Sequence, residues 1–240
     1  MFFTMLAALT LSATSHPESL VDAARHRTVP IEIQLPEKQE RCTLQQRCKV
    51  AFISSGYGIP HDKYQFMVRT LTQHGFMTVS IAHELEQDPD LSRIPPFLAT
   101  RAENWQRGAQ TLAFVRETLS PSFEAYDFDH LWLLGHSNGG DISAWYANAT
   151  PTFVEAVVTI DSRRVLLPRN KDIRVLSIRG SDFPADDNVL YTDSERLSYP
   201  VCVMQIPNAR HNDMSDFGPE WLTNKMTSAI TSFLENQSCK

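Results

Sequence analysis

Hydrophobic positions along the chain fall into short apolar runs separated by longer stretches of mixed polarity. Over residues 29–35 apolar and polar positions alternate (Val29, Ile31, Ile33, Leu35), the period of a half-exposed strand. Continuous apolar runs at 49–53 (KVAFI), 76–82 (FMTVSIA), 131–134 (LWLL), 153–160 (FVEAVVTI), 173–178 and 199–206 (YPVCVMQI) predict strands, most of them buried. Between them, residues 62–74, 101–119, 141–149 and 219–234 can form helices. The first stops at Gly75, and the second carries Ala102, Trp105, Ala109, Leu112, Ala113 and Phe114 at helical spacing. Strand, helix, strand over 49–82 predicts a crossover unit of a parallel sheet. Residues 16–27 are polar and lead into the fold, 36–47 form a charged loop, and 121–129 form a turn.

Two stretches resist this pattern. Residues 83–100 (HELEQDPDLSRIPPFLAT) hold three prolines and no period. A loop of that length inside a compact fold is often functional, and it leaves the C-terminal end of a strand. It is either a pocket wall, through Leu91, Ile94 and Phe97, or a solvated surface loop. Residues 162–172 (SRRVLLPRNKD) are brief and basic.

Composition narrows the class. The 240 residues suit one α/β domain, and 42% apolar with 21% charged residues is ordinary for a globular chain. A net charge of −6 with no basic stripe argues against a nucleic-acid partner, and no apolar run is long enough to span a membrane. Residues 1–15 (MFFTMLAALTLSATS) predict a secretory signal cleaved near Ser15, although the segment has no Lys or Arg; the alternative is an N-terminal extension. Residues 16–240 then form the domain. Four cysteines fit an oxidising compartment, with Cys42 and Cys48 stapling a loop between two strands and Cys202 and Cys239 tying a late strand to the last helix. The alternative is four thiols in a cytoplasmic protein. Their spacings do not resemble a zinc site.

The candidate chemistry centres on Gly135-His136-Ser137-Asn138-Gly139, set between the apolar run at 131–134 and the helix over 141–149. A serine at a sharp strand-to-helix turn stands clear of both elements, and the flanking glycines remove side chains that would collide there. The helix N-terminus faces the serine, where an oxyanion can develop. Ser137 is therefore the candidate nucleophile.

This motif after an apolar strand resembles the α/β-hydrolase superfamily, in particular its small, lid-poor serine esterases and dienelactone-hydrolase-like members, from about residue 48 to the C-terminus. The resemblance implies a mostly parallel central sheet with helices on both faces. Residues 162–172, where such folds often insert a cap, leave no room for a large one. It also implies a Ser, acid, His order. Of eight histidines only His211 follows the last predicted strand, which makes it the candidate base. His136 is a packed or hydrogen-bonded neighbour, and His83 ends an earlier strand. The usual place for the acid, just past the strand at 173–178, makes Asp182 the first choice. The family's aspartate often stands three residues after the glycine, where this chain has Phe183, so Asp186, Asp187 and Asp161 stay open. The turn Gly56-Tyr57-Gly58 matches the family's oxyanion turn, with Ser55 in place of its usual histidine; the N–H groups of Tyr57 and Asn138 are the implied donors.

The resulting expectation is a serine hydrolase acting on a small-molecule ester through an acyl-enzyme, with no cofactor and no metal. Amide or peptide hydrolysis uses the same triad, and a non-catalytic binding protein on this fold is the alternative from another class. Oligomeric state stays open. Lastly, Asp161-Ser162-Arg163-Arg164 follows a buried strand at the ligand-binding end of the sheet. Arg163 or Arg164, with Arg169 a few residues on, either holds an anionic group of the substrate or forms a structural ion pair with Asp161 or a neighbouring acid.

Overall fold

The structure, a computed structural model, describes residues 16–237. The expected signal segment 1–15 and Cys239, the expected partner of Cys202, lie outside the described residues.

Among the described residues eight strands form one sheet: β1 (His16–Asp22), β2 (Arg27–Gln34), β3 (Cys48–Ser54), β4 (Met77–Ile81), β5 (Tyr126–His136), β6 (Val154–Ile160), β7 (Arg174–Arg179) and β8 (Val201–Gln205). Their spatial order is β1-β2-β4-β3-β5-β6-β7-β8. β1 and β2 pair antiparallel, as do β2 and β4, and every other pair is parallel. β2 alternates as expected, with Val29, Ile31 and Ile33 buried, whereas β4 is buried along its whole length. The helices are α1 (Gln65–Gln73), α2 (Phe97–Thr100), α3 (Ala102–Leu119), α4 (Asn138–Ala149), α5 (Asp193–Arg196) and α6 (Glu220–Leu234). α3 and α4 bring Trp105, Leu112 and Ile142 into the core on one face of the sheet. α1 and α6 bring Met67, Leu71, Leu222 and Met226 into the core on the other. Among the described residues no helix is long and apolar enough to cross a membrane.

Two expectations need correction. Residues 16–22 do not merely lead into the fold but form the edge strand β1, paired along its length with β2. Leu20 packs against the core while Val21 is exposed, so no alternating apolar signal marks the strand. β5 begins at Tyr126 inside the segment read as a turn, because Cys48 and Lys49 extend the ladder to Tyr126 and Asp127 before the register shifts. The short helices α2 and α5 have no apolar period; α5 is set by Thr192, whose side chain and that of Glu195 form a reciprocal capping box.

Cys42 and Cys48 form a disulfide across the loop between β2 and β3, a bond favoured in oxidising compartments. Among the described residues no helix interrupts residues 162–172, and no large cap covers the sheet.

Candidate active site

Ser137 sits between β5 and α4 with φ 53° and ψ −120°, a left-handed conformation costly for a residue with a Cβ. The turn is tight enough to demand its glycines. A Cβ on Gly135 would lie 2.3 Å from the carbonyl oxygen of Gly139, and one on Gly139 would lie 2.2 Å from that of Ser54. The elbow is thus wedged against the end of β3 and the turn that carries Tyr57.

His211 follows β8 in a short 3-10 turn and reaches back to the elbow: its Nε2 lies 2.9 Å from Ser137 Oγ. Its Nδ1 lies 2.5 Å from Oδ2 of Asp161, which stands at the end of β6 and is fully buried. The other oxygen of Asp161 accepts the backbone N–H of Gly180 at 3.0 Å and pairs with Arg179 Nη2 at 3.0 Å. Burial alone would push the Asp161 carboxyl up. The His211 hydrogen bond, the Arg179 guanidinium and the Gly180 N–H outweigh it and hold the group below the usual carboxylate range. Like Ser137, Asp161 adopts a positive φ, 51°.

The carboxylate against His211 is therefore Asp161, the rarer of the sequence alternatives. Asp182 is exposed and accepts the backbone N–H of His211 at 2.8 Å, so it touches the peptide of the base and not its ring. Asp186 pairs with Arg164, and Asp187 is exposed with no bond to His211. Sequence reasoning missed Arg179, a basic residue at the end of an otherwise apolar strand just before Gly180. A charge in that place needs a buried partner, and this was the available signal.

The N–H of Asn138 is the first of α4 and has no acceptor within the helix. Its side chain is fully occupied: Oδ1 accepts from Trp105 Nε1 at 2.9 Å, and Nδ2 donates to Glu84 at 2.9 Å and Asn104 at 2.8 Å. Burial raises the Glu84 carboxyl against the hydrogen bonds from Asn104 and Asn138. Tyr57 lies in the turn after β3 with an exposed ring, and its hydroxyl bonds Asp90 at 3.1 Å. His83 is buried, with Nε2 on Ser54 Oγ at 2.9 Å, and burial, followed by Arg27 and Arg25, lowers its pKa to about 3.

Phe97 of the long loop lies beneath two guanidinium groups, Arg101 at 4.6 Å and Arg164 at 4.2 Å from its ring centre. Asp141, buried on α4, accepts the backbone N–H groups of Arg163, Arg164 and Val165 at 3.0–3.2 Å and so ties the segment after β6 to the elbow helix. Burial outweighs those donors and raises its pKa to about 6. Arg164 and Arg169 form ion pairs, with Asp186 and Glu195. Arg163 forms none among the described residues. Its guanidinium stacks 4.1 Å from the ring centre of Phe183, whose edge in turn meets His211 at 5.2 Å between ring centres.

No family model matches the chain, and no curated protein matches it. Solved structures do. A dienelactone hydrolase-like promiscuous phosphotriesterase from metagenomic libraries superposes with a TM-score of 0.68 at 16% identity, over 94% of this chain and 99% of that one. A dienelactone hydrolase from Anabaena variabilis gives 0.60 at 15% identity, over 94% and 98%. A thermophilic esterase from the planctomycete Thermogutta terrifontis, solved with butyrate bound, gives 0.67 at 12%, over 92% and 94%. Strand order and these likenesses give the chain the α/β-hydrolase fold, with no large cap among the described residues.

Proposed function

We propose that the protein is a serine hydrolase that cleaves carboxylic esters of small molecules through an acyl-enzyme. The observation that carries this reading is the unbroken line from Ser137 Oγ to His211 Nε2 at 2.9 Å and from His211 Nδ1 to Asp161 at 2.5 Å. His211 takes the serine proton as Oγ attacks the ester carbonyl, and then delivers it to the leaving alcohol. Asp161 holds the ring with Nδ1 protonated and stabilises the imidazolium that forms. The N–H groups of Asn138 and Tyr57 receive the oxyanion. Water, activated by His211, releases the acid and restores Ser137. Residues 16–240 act as one catalytic domain, and residues 1–15 serve as an export signal, in keeping with the disulfide.

The test is labelling with a fluorophosphonate, followed by peptide mapping, alongside turnover of p-nitrophenyl esters. A single adduct on Ser137, with turnover abolished in Ser137→Ala, is expected. Turnover that survives in Ser137→Ala refutes the mechanism. Mass spectrometry of exported material separately reads the leader: an intact Met1 refutes cleavage.

A further inference from the structure

His136 stands beside the nucleophile in sequence, yet its ring does not face the nucleophile's proton. It is buried and spans two other groups: Nδ1 lies 2.8 Å from the hydroxyl of Tyr64, and Nε2 lies 3.1 Å from the backbone carbonyl of His211. The Tyr64 hydroxyl also meets the backbone N–H of Gly56 at 2.9 Å.

The directions of these bonds follow from chemistry. A backbone N–H can only donate, so the Tyr64 oxygen accepts from Gly56 and sends its single proton to His136 Nδ1. A carbonyl can only accept, so Nε2 carries the ring proton and donates it to His211. Each ring nitrogen then has its partner, and the imidazole is neutral. A charged ring would turn Nδ1 into a donor; the Tyr64 oxygen would then accept from both Gly56 and His136, and its own proton would lose its acceptor among the described residues. Burial, then the neighbouring His211, lowers the His136 pKa to about 3, so the neutral form persists through the neutral range.

The two ends of this chain are parts of the proposed catalytic apparatus. Gly56 precedes Tyr57, the proposed oxyanion donor. The carbonyl at the other end belongs to His211, whose N–H is held by Asp182 at 2.8 Å and whose carbonyl also accepts from Met214 at 3.3 Å. We propose that His136 is a positioning residue: an Nε2-protonated imidazole that, through Tyr64, ties the oxyanion turn to the backbone of the base, so that the two keep one spacing across the elbow. This rests on the hydrolase reading for its catalytic consequence, but the proton arrangement stands without it.

The experiment measures kcat and KM on p-nitrophenyl acetate, melting temperature, and the imidazole nitrogen shifts of His136 by NMR in the full chain. The NMR signature expected is an Nε2–H tautomer with an unprotonated Nδ1 at neutral pH. His136→Leu, which can neither accept nor donate, is expected to lower kcat roughly 100-fold, the scale of an ångström-sized misplacement, with KM within about threefold. Tyr64→Phe keeps the ring and removes only the link, and a tenfold loss in kcat, on the order of one hydrogen bond, is expected. His136→Gln, whose amide can accept from Tyr64 and donate to His211, is expected to restore most of the activity. In the double variant Tyr64→Phe/His136→Leu the two losses do not add, because they cut one chain. An Nδ1–H tautomer overturns the proposal. So does a kcat within threefold of wild type in both Tyr64→Phe and His136→Leu, or a His136→Gln variant as slow as His136→Leu at an unchanged melting temperature. If the wild-type protein neither hydrolyses esters nor labels at Ser137, the hydrolase reading fails, while the NMR arm still decides the tautomer.

Discussion

The neighbouring strands β6 and β7 run parallel and end side by side, and each delivers an aspartate to the same edge of the sheet. Their fates differ. Asp161 leaves β6 fully buried, with one oxygen on His211 and the other on Arg179 and the Gly180 N–H. Asp182 leaves the β7 turn exposed and reaches only the backbone of His211. The two ends are coupled, since the N–H of Asp161 bonds the carbonyl of Ile178 and brings Asp161 level with Arg179. A carboxylate taken out of water needs a compensating charge and hydrogen bonds. β7 supplies both to its neighbour, through Arg179 and the Gly180 N–H. Which strand end sets a carboxylate against the His211 ring thus follows where the buried cation lies, and not which strand comes later in the chain.

The largest effect should come from exchanging the two carboxylates for amides one at a time. Asp161→Asn keeps the shape but lets His211 settle in the wrong tautomer. On the proposed mechanism turnover should fall by about three to four orders of magnitude, the scale known for serine hydrolase triads. Asp182→Asn retains an oxygen that can accept the His211 N–H and should cost less than about tenfold, the scale of one weakened hydrogen bond. Steady-state kinetics of both variants on one neutral ester decides the matter. The reverse ranking would return the acid to β7.

Arg179 is the next place to break the comparison. Arg179→Met leaves the buried Asp161 carboxylate without its cation, and removal of one partner from a buried pair typically costs about 3–5 kcal/mol. Denaturant titration should reveal a loss of that order, where Arg164→Met, removing the partner of exposed Asp186, should cost about 1 kcal/mol or less. Equal losses would mean that Arg179 does not compensate Asp161.

Acid titration sharpens the same point. The Asp161 carboxyl is held below its unfolded value, so the stability it provides is complete above pH ~4 and disappears as pH falls through the folded pKa. Asparagine does not titrate. The gap in melting temperature between wild type and Asp161→Asn should therefore be widest near neutral pH and narrow below pH ~4. Parallel curves across that range would show that Asp161 is not held ionised.

How far this was legible in the sequence depends on how local each signal is. The elbow reads directly, because strand, glycines, serine and helix occupy one continuous stretch and the steric demand on Gly135 and Gly139 lies within it and the adjoining end of β3. The position of His211 reads from its place after the last strand. Its carboxylate neighbour does not, because Asp161 meets His211 only when Arg179 and Gly180, on another strand, fall beside it. Family order pointed to Asp182 for the same reason: it encodes position along the chain and not the cation across the sheet. β1 was equally silent, since an edge strand presents little apolar surface. The tie from Tyr64 through His136 to His211 joins positions 72 and 75 residues apart, and no motif spans such a gap.

The smallest effect concerns the three arginines that follow Asp161. Arg164 and Arg169 have settled as ion pairs with Asp186 and Glu195. Arg163 has its N–H on Asp141 and its carbonyl on the N–H of Asp186, so its backbone is fixed, while its guanidinium lies on Phe183 with no described carboxylate within salt-bridge reach. A fixed, half-buried guanidinium next to the ring that meets His211 suits a carboxylate on the substrate, and such a charge-assisted bond is worth about 1.5–3 kcal/mol. For an ester that carries a free carboxylate, such as a succinate half-ester, Arg163→Ala should raise KM about tenfold or more. For a neutral ester of similar size KM should stay within about twofold. Arg164→Ala should treat both esters alike, since its charge is already spent on Asp186. If Arg163→Ala affects the two esters equally, its guanidinium serves only to hold Phe183 in place, and the β6 end is left with the single task of presenting the acid.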